Sequence, residues 1–315
     1  MFSVLNTPEV ELVLFVDFLL VVILGVACFK SIEILVRYKK ESYTPLQYKL
    51  EKQSYLVATI IKLSLFAELF LLPFFAHTLD ALSSLIPGAM CAAGVVNGGV
   101  YGNVLVGMKF FIIIVAMVWL KLNTQDLREK TVPYFRLKHL FFLGIYLLMV
   151  ISTIIEFKFF ASLSTQDLVM CCSTLYKTTH NPLPFSLDIG SVVTIFLGSF
   201  VAVLGGVYVA QRVVLLVSMV LFTYFGYYAL VYFFTPYIYE LPTHKCPYCI
   251  LSSDYHFIGY FIYGAFIFMS YYVSLGVLFG VTQEVKKKIV ISGLLFLLFL
   301  SFHFVVYYVK NGVVL

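Results

Sequence analysis

Eight long runs of apolar residues, separated by short polar stretches, set the pattern of this chain. They cover 10–30, 55–79, 104–121, 139–160, 189–210, 213–234, 255–280 and 288–309. A helix that crosses a bilayer needs about 20 mostly apolar residues, and the runs are of that order. They are too long for strands and do not alternate as a barrel strand would. The pattern therefore predicts an all-α, polytopic membrane protein of about eight transmembrane helices. Between 189 and 234 the polar break is Gln211-Arg212 alone. A single helix over that stretch would be about 69 Å long, against a hydrocarbon core of about 30 Å. A tight hairpin must fall there, with Gly205-Gly206 as the alternative turn.

Composition agrees with the pattern. Hydrophobic residues make up 62% of the 315 residues and charged residues 12%; soluble domains run at about 45–50% and 25%. This excludes an ordinary soluble enzyme, a disordered chain and a nucleic-acid binder. The net charge of +5 follows topology rather than a polyanionic partner. With the N-terminus outside, fifteen of the 21 Lys and Arg fall in cytoplasmic loops: the six from Lys30 to Lys52, the five from Lys121 to Lys138, Arg212, and Lys286 to Lys288. The outer side receives Lys158, Lys177, Lys245 and Lys310. The positive-inside rule then places both termini outside. The expected setting is the inner membrane of a bacterium or archaeon, with the lipid bilayer as first partner. The N-terminal stretch carries Glu9, Glu11 and Asp17 and no basic segment, so it reads as a retained span rather than a cleavable leader.

Of six cysteines, Cys28 sits at the inner end of the first span. Cys91, Cys171, Cys172, Cys246 and Cys249 all fall on the outer side of this topology, where disulfides persist. Five is odd, which leaves a thiol for a partner, a metal or catalysis. The sharpest motif is His244-Lys245-Cys246-Pro247-Tyr248-Cys249, ahead of a span starting near Tyr255. At a helix start, two sulfurs one turn apart can close a small ring. The helix's positive end and Lys245 would stabilise a thiolate at Cys246. The same C-x-x-C could be half a metal site or a structural disulfide. Met170-Cys171-Cys172-Ser173 is the second cluster. Adjacent cysteines rarely bond each other, so the expectation is that one pairs elsewhere. The third is Met90-Cys91 in a glycine-rich loop, Pro87 to Gly94, which reads equally as an interfacial or re-entrant loop and as a backbone close to a ligand.

The order of these features resembles the vitamin K epoxide reductase family. A span running outward (139–160) is followed by a cysteine loop, two spans, Cys246-Pro247-Tyr248-Cys249 and a span running inward (255–280). The local string CPYCILSS is similar to bacterial members, and the resemblance covers about residues 139–280. It implies a four-helix bundle core in the C-terminal half. It divides the chain into a three-span module (1–138), the redox-like bundle (139–280) and a final span (281–315). It implies a membrane thiol–disulfide oxidoreductase in which loop cysteines take electrons from an extracytoplasmic, thioredoxin-like thiol protein. On that pattern Cys246 exchanges with Cys171 or Cys172, Cys249 faces a quinone, and aromatic residues such as Tyr228, Tyr232 and Tyr255 line the quinone. This chain departs from the family in that Cys171 and Cys172 are adjacent and no thioredoxin-like domain is attached.

Charges inside spans are costly and mark a bundle interior or a cavity. Asp17, Lys62, Glu68, Lys109 and Glu156 qualify. Glu68 and Lys109 are expected as an ion pair or a proton path, Lys62 to reach the inner surface, and Glu156 with Lys158 to be solvated at the outer edge. His244 and His256 flank the cysteine motif, and His180 follows Cys171-Cys172. Any of them could hold a thiolate, relay protons or complete a metal site. No haem motif is present. Two other readings stay open beside the oxidoreductase. One is a soft-metal (copper-like) carrier using the cysteines with Met90, Met170 and His244. The other is a subunit of a membrane complex whose outer loops are stapled by disulfides.

Overall fold

The computed structural model describes residues 4–38, 44–128, 134–169 and 183–314. Cys171, Cys172 and His180 lie outside the described residues. Among those described there are helices and no strand. The long ones are α1 (Pro8–Arg37), α2 (Pro45–Leu82), α4 (Gly102–Arg128), α5 (Phe135–Ser162), α6 (Ile189–Val209), α7 (Arg212–Ala229), α9 (Ile258–Phe279) and α10 (Gln283–Asn311); α3 (Ala92–Gly98) and α8 (Thr235–Tyr239) are short. Among the described residues, eight helical stretches, one of them running from Arg212 to Tyr239, are long and apolar enough to cross a membrane. The chain is a multi-pass helical membrane protein.

The helices fall into two compact units. The first holds 1–78 and 98–165, the second 79–97 and 166–315. This grouping differs from the division at 138 and 280. The span near 139–160 packs on α1 and α4 in the first unit, because α5 presents a stripe at helical spacing: Phe142, Ile145, Met149, Ser152, Glu156 and Phe159 are buried. The four spans of the second unit come from 189–311 instead.

In the first unit α1, α2, α4 and α5 share an apolar core through Leu24, Ile61, Trp119 and Phe142. One end of this unit is pinned by polar contacts. His139 lies between Ser54 and Ser31, at 2.8 and 3.0 Å. Lys138 pairs with Asp126 at 2.6 Å, and Trp119 donates to the Lys138 carbonyl. Helix α2 is longer than a bilayer needs and holds Pro73; spans tolerate the missing backbone bond where neighbours re-satisfy it.

In the second unit the turn between α6 and α7 falls at Ala210-Gln211, with Ala210 left-handed (φ 57°) and Gln211 extended. The Gly205-Gly206 alternative is not used as a turn. Gly206 instead lies inside α6, and a Cβ there would sit 3.1 Å from the Leu215 nitrogen and 3.2 Å from its Cα. The missing side chain is what lets the two arms close, since helices in lipid associate by close packing of small residues. Gly206→Leu is expected to cost about 1–3 kcal/mol by overpacking, read as a lowered unfolding midpoint in micelles. Beyond the hairpin, Phe196 stacks on Phe222 (5.0 Å) and Phe222 meets Phe296 edge-on (5.6 Å). Between α7 and α8 the helix widens into a π turn, Leu230–Phe234. Pro236 follows and has no N–H to give to the preceding turn, so the wider turn absorbs the bond that proline cannot make.

Candidate functional site

The cysteine motif is held by the end of the Arg212–Tyr239 span and the start of α9. Glu240 turns left-handed (φ 53°) and ends α8. The chain then loops through His244 and Lys245 to Cys246. Cys249–Leu251 and Ser253–Tyr255 form two 3-10 turns, His256 and Phe257 are left-handed, and α9 begins at Ile258. The cysteine pair therefore does not open the span, as the sequence suggested. Cys249 starts a separate short turn, and the positive end of α9 lies beyond it. Lys245 places its ammonium 5.4 Å from the centre of the Tyr232 ring.

Two tyrosines fix the backbone of the motif. The Tyr239 hydroxyl donates to the Cys246 carbonyl, and the Tyr263 hydroxyl donates to the Pro247 carbonyl at 2.6 Å. Gly259 lets α9 approach from below: a Cβ there would stand 2.8 Å from Ile250 Cγ1 and 2.9 Å from the Ile250 carbonyl oxygen. Gly259→Val is expected to push this turn outward and raise the alkylation rate of Cys249 several-fold, measured by mass-tag labelling in micelles.

Cys91 reaches the same point from the glycine-rich loop. Gly88 has φ +84°, and a Cβ there would fall 2.5 Å from the Val169 carbonyl oxygen. Val169 in turn donates its N–H to the Pro87 carbonyl at 3.0 Å. This tight fold docks the loop, and α3 follows with Ala92 to Val96 buried. Cys91 Sγ lies 3.5 Å from Cys246 Sγ. That is contact, longer than the about 2.05 Å of a disulfide. The Cys91, Cys246 and Cys249 sulfurs all lie within 4.8 Å of one another. Cys246 is fully buried, and Cys91 and Cys249 are 5% and 8% exposed.

Aromatic side chains surround this triangle. Tyr255 meets Tyr239 edge-on at 4.6 Å, and His244 lies 4.1 Å from the Tyr239 ring. The His244 Nε2 is buried with no hydrogen-bond partner among the described residues. Tyr248 is half-buried, and burial pushes its phenol well above the ordinary value, so it remains a proton donor. Tyr228 and Tyr232 lie parallel at 6.3 Å. His256 is exposed on its left-handed turn.

The intramembrane charges form a separate group in the first unit. Lys109 on α4 pairs with Asp17 on α1, with Glu156 on α5 at 3.2 Å and with Glu68 on α2 at 3.7 Å. All four are buried. Glu156, expected at a solvated edge, is fully enclosed, while Lys158 is exposed. Lys62 is exposed on α2. Tyr239 and Tyr263, which hold the cysteine loop, were not singled out from the sequence, since a chain with 18% aromatic residues gives no local mark to the two that matter. Comparison with known protein families, with curated proteins and with solved structures finds no match for this chain.

Proposed function

We propose that this chain is a membrane thiol–disulfide oxidoreductase that passes electrons from protein thiols to a quinone through Cys246 and Cys249. The observation that carries the reading is the triangle of Cys91, Cys246 and Cys249. A C-x-x-C with a third sulfur at 3.5 Å is arranged for exchange, because thiol–disulfide transfer is attack of one sulfur along the axis of a bond between two others. Starting from a Cys246–Cys249 disulfide, the Cys91 thiolate bonds to Cys246 Sγ. The Cys246–Cys249 bond breaks, its electron pair leaves on Cys249, and Cys249 takes up the proton that Cys91 lost. A thiol of the donor then bonds to Cys91 Sγ, and the Cys91–Cys246 bond breaks with its electron pair on Cys246. The donor's second thiol displaces Cys91, which leaves Cys91, Cys246 and Cys249 as thiols. The Cys246–Cys249 pair would be re-formed when its two electrons and two protons pass to a quinone. Over a full cycle two thiols of the donor become a disulfide.

A quinone, when bound, supplies the sink for two electrons and two protons. The chain's own residues fit such a group in kind: exposed Tyr224 and Tyr227 stand against Tyr228, which lies parallel to Tyr232, and Tyr228 and the half-buried Tyr248 pack on the same core. By the distribution of basic residues the site faces the extracytoplasmic side, where a thioredoxin-like protein would deliver thiols. The burial of Cys246 directs contact with a partner to Cys249 or Cys91.

The same triangle also favours a second reading. Three thiolates around one soft ion, each at about 2.3 Å, stand about 4 Å apart. One experiment separates the two. The reduced protein is freed of reductant, given a soluble quinone without oxygen, and its thiols are counted by mass tag. The oxidoreductase reading expects two thiols lost in wild type and none in Cys249→Ala. Unchanged thiols that instead bind one equivalent of Cu(I) would replace it with the metal reading.

A further inference from the structure

The buried charges of the first unit make a site of their own. Each of its four long helices contributes one group: Asp17 from α1, Glu68 from α2, Lys109 from α4 and Glu156 from α5. Nothing in the redox chemistry above uses them. The four side chains are between 0% and 4% exposed, and the Lys109 ammonium also faces the Phe75 ring. Three carboxyl groups around one ammonium leave two negative charges without a counter-charge. A low-dielectric interior does not keep such charges bare.

Hydrogen bonding points the same way by a separate route. The Asp17, Glu68 and Glu156 carboxyls all converge on the one Lys109 ammonium. A carboxylate only accepts hydrogen bonds, and carboxyls gathered at one point can bond one another only if a proton sits on one of them. Lys109 cannot supply every oxygen: Glu68 Oε2 and both oxygens of Glu156 are buried with no hydrogen-bond partner, Glu156 Oε2 meeting Lys109 only as an ion pair. Those orphaned oxygens sit on two carboxyls, the number that the charge count leaves over. A metal cation is disfavoured, because Lys109 already holds the centre of the group and would repel it.

We propose that Asp17, Glu68, Glu156 and Lys109 form an intramembrane proton-binding site that carries two protons among its three carboxyls at neutral pH. Lys109 then pairs with the one remaining carboxylate, and the two protons sit on the other two carboxyls. A site of this kind takes up and releases protons inside the bilayer, and its position, with one residue on every helix of the bundle, makes proton occupancy a determinant of how the four helices pack.

Infrared spectroscopy of the purified protein in lipid reads this directly, through the carbonyl stretch of protonated carboxylic acids that titrates within the protein. Wild type is expected to show this band at neutral pH, with the signal of two buried acids. Glu156→Gln and Glu68→Gln, which keep shape and lose one acid each, are each expected to lose about half of it. The double variant should lose nearly all of it. If a single variant fails to fold, Glu156→Gln combined with Lys109→Met removes an acid and its counter-charge together and tests the same band. Absence of the band in wild type, or its persistence in the double variant, would overturn the proposal. So would its disappearance when choline in the buffer is exchanged for sodium, since a metal cation would then be the ligand.

Discussion

Replacing Lys109 by methionine is expected to be among the most damaging single changes in the protein, lowering stability by about 3–5 kcal/mol. Lys109 is the counter-charge for Asp17, Glu68 and Glu156 in a region closed to water. Removing one partner of a buried ionic group leaves the remaining charge uncompensated, which costs far more than the intact group contributes. The cost should shrink as pH falls, because a proton on the last carboxylate removes the orphaned charge. It should also shrink in Lys109→Met with Asp17→Asn, since neighbouring groups in one network are not additive. Unfolding midpoints of the three proteins in micelles over a pH series check this. A drop below about 1 kcal/mol in the single variant, with no rescue in the double, would show that Lys109 is not holding these carboxyls.

The second large effect is expected at the cysteines. Cys249→Ser and Cys246→Ser should each reduce quinone-driven thiol oxidation by at least about a thousandfold, the scale on which loss of a covalent nucleophile acts. Cys91→Ser should behave differently. Closure of the Cys246–Cys249 pair should persist while transfer from an external protein thiol is lost, because the change removes only the exchanging sulfur. Cys28→Ser, on α1 in the other unit, should change neither. Stopped-flow oxidation with a soluble quinone, followed by thiol counting, separates these cases. Equal loss in Cys91→Ser and Cys249→Ser would argue against an exchange role for Cys91.

Much of the architecture was legible in the residue pattern, because bilayer thickness imposes a length on every span and hydropathy records it. The eight runs correspond to the eight long helices, and the Gln211-Arg212 break lies at the turn. What the pattern could not give is which spans share a bundle. The contribution of α5 to the first unit depends on a buried stripe that includes Ser152 and Glu156, polar residues that an apolar count passes over. Glu156 was misplaced for a related reason. Its neighbour Lys158 suggested solvent, but two residues apart on a helix point about 200° away from each other, so one can be enclosed while the other faces out.

At the cysteine site the motif Cys246-Pro247-Tyr248-Cys249 was legible, and Cys91 was visible as a candidate. Their convergence was not, since 155 residues separate Cys91 from Cys246. No local propensity marks that contact. It is made by Gly88 folding one loop and Gly259 admitting the other. The start of α9 was also placed too early, because His256 and Phe257 adopt left-handed conformations that non-glycine residues rarely signal.

The central claim is that Cys91, Cys246 and Cys249 act as one exchange unit, and disulfide mapping tests it most directly. In a protein carrying Cys171→Ser, Cys172→Ser and Cys249→Ser, mild oxidation in the membrane should link Cys91 to Cys246 nearly completely, found as a single cross-linked peptide pair by mass spectrometry. If Cys91 remains open to alkylation after oxidation, or Cys246 bonds only to another molecule, the two sulfurs do not meet in the working protein and the exchange mechanism fails.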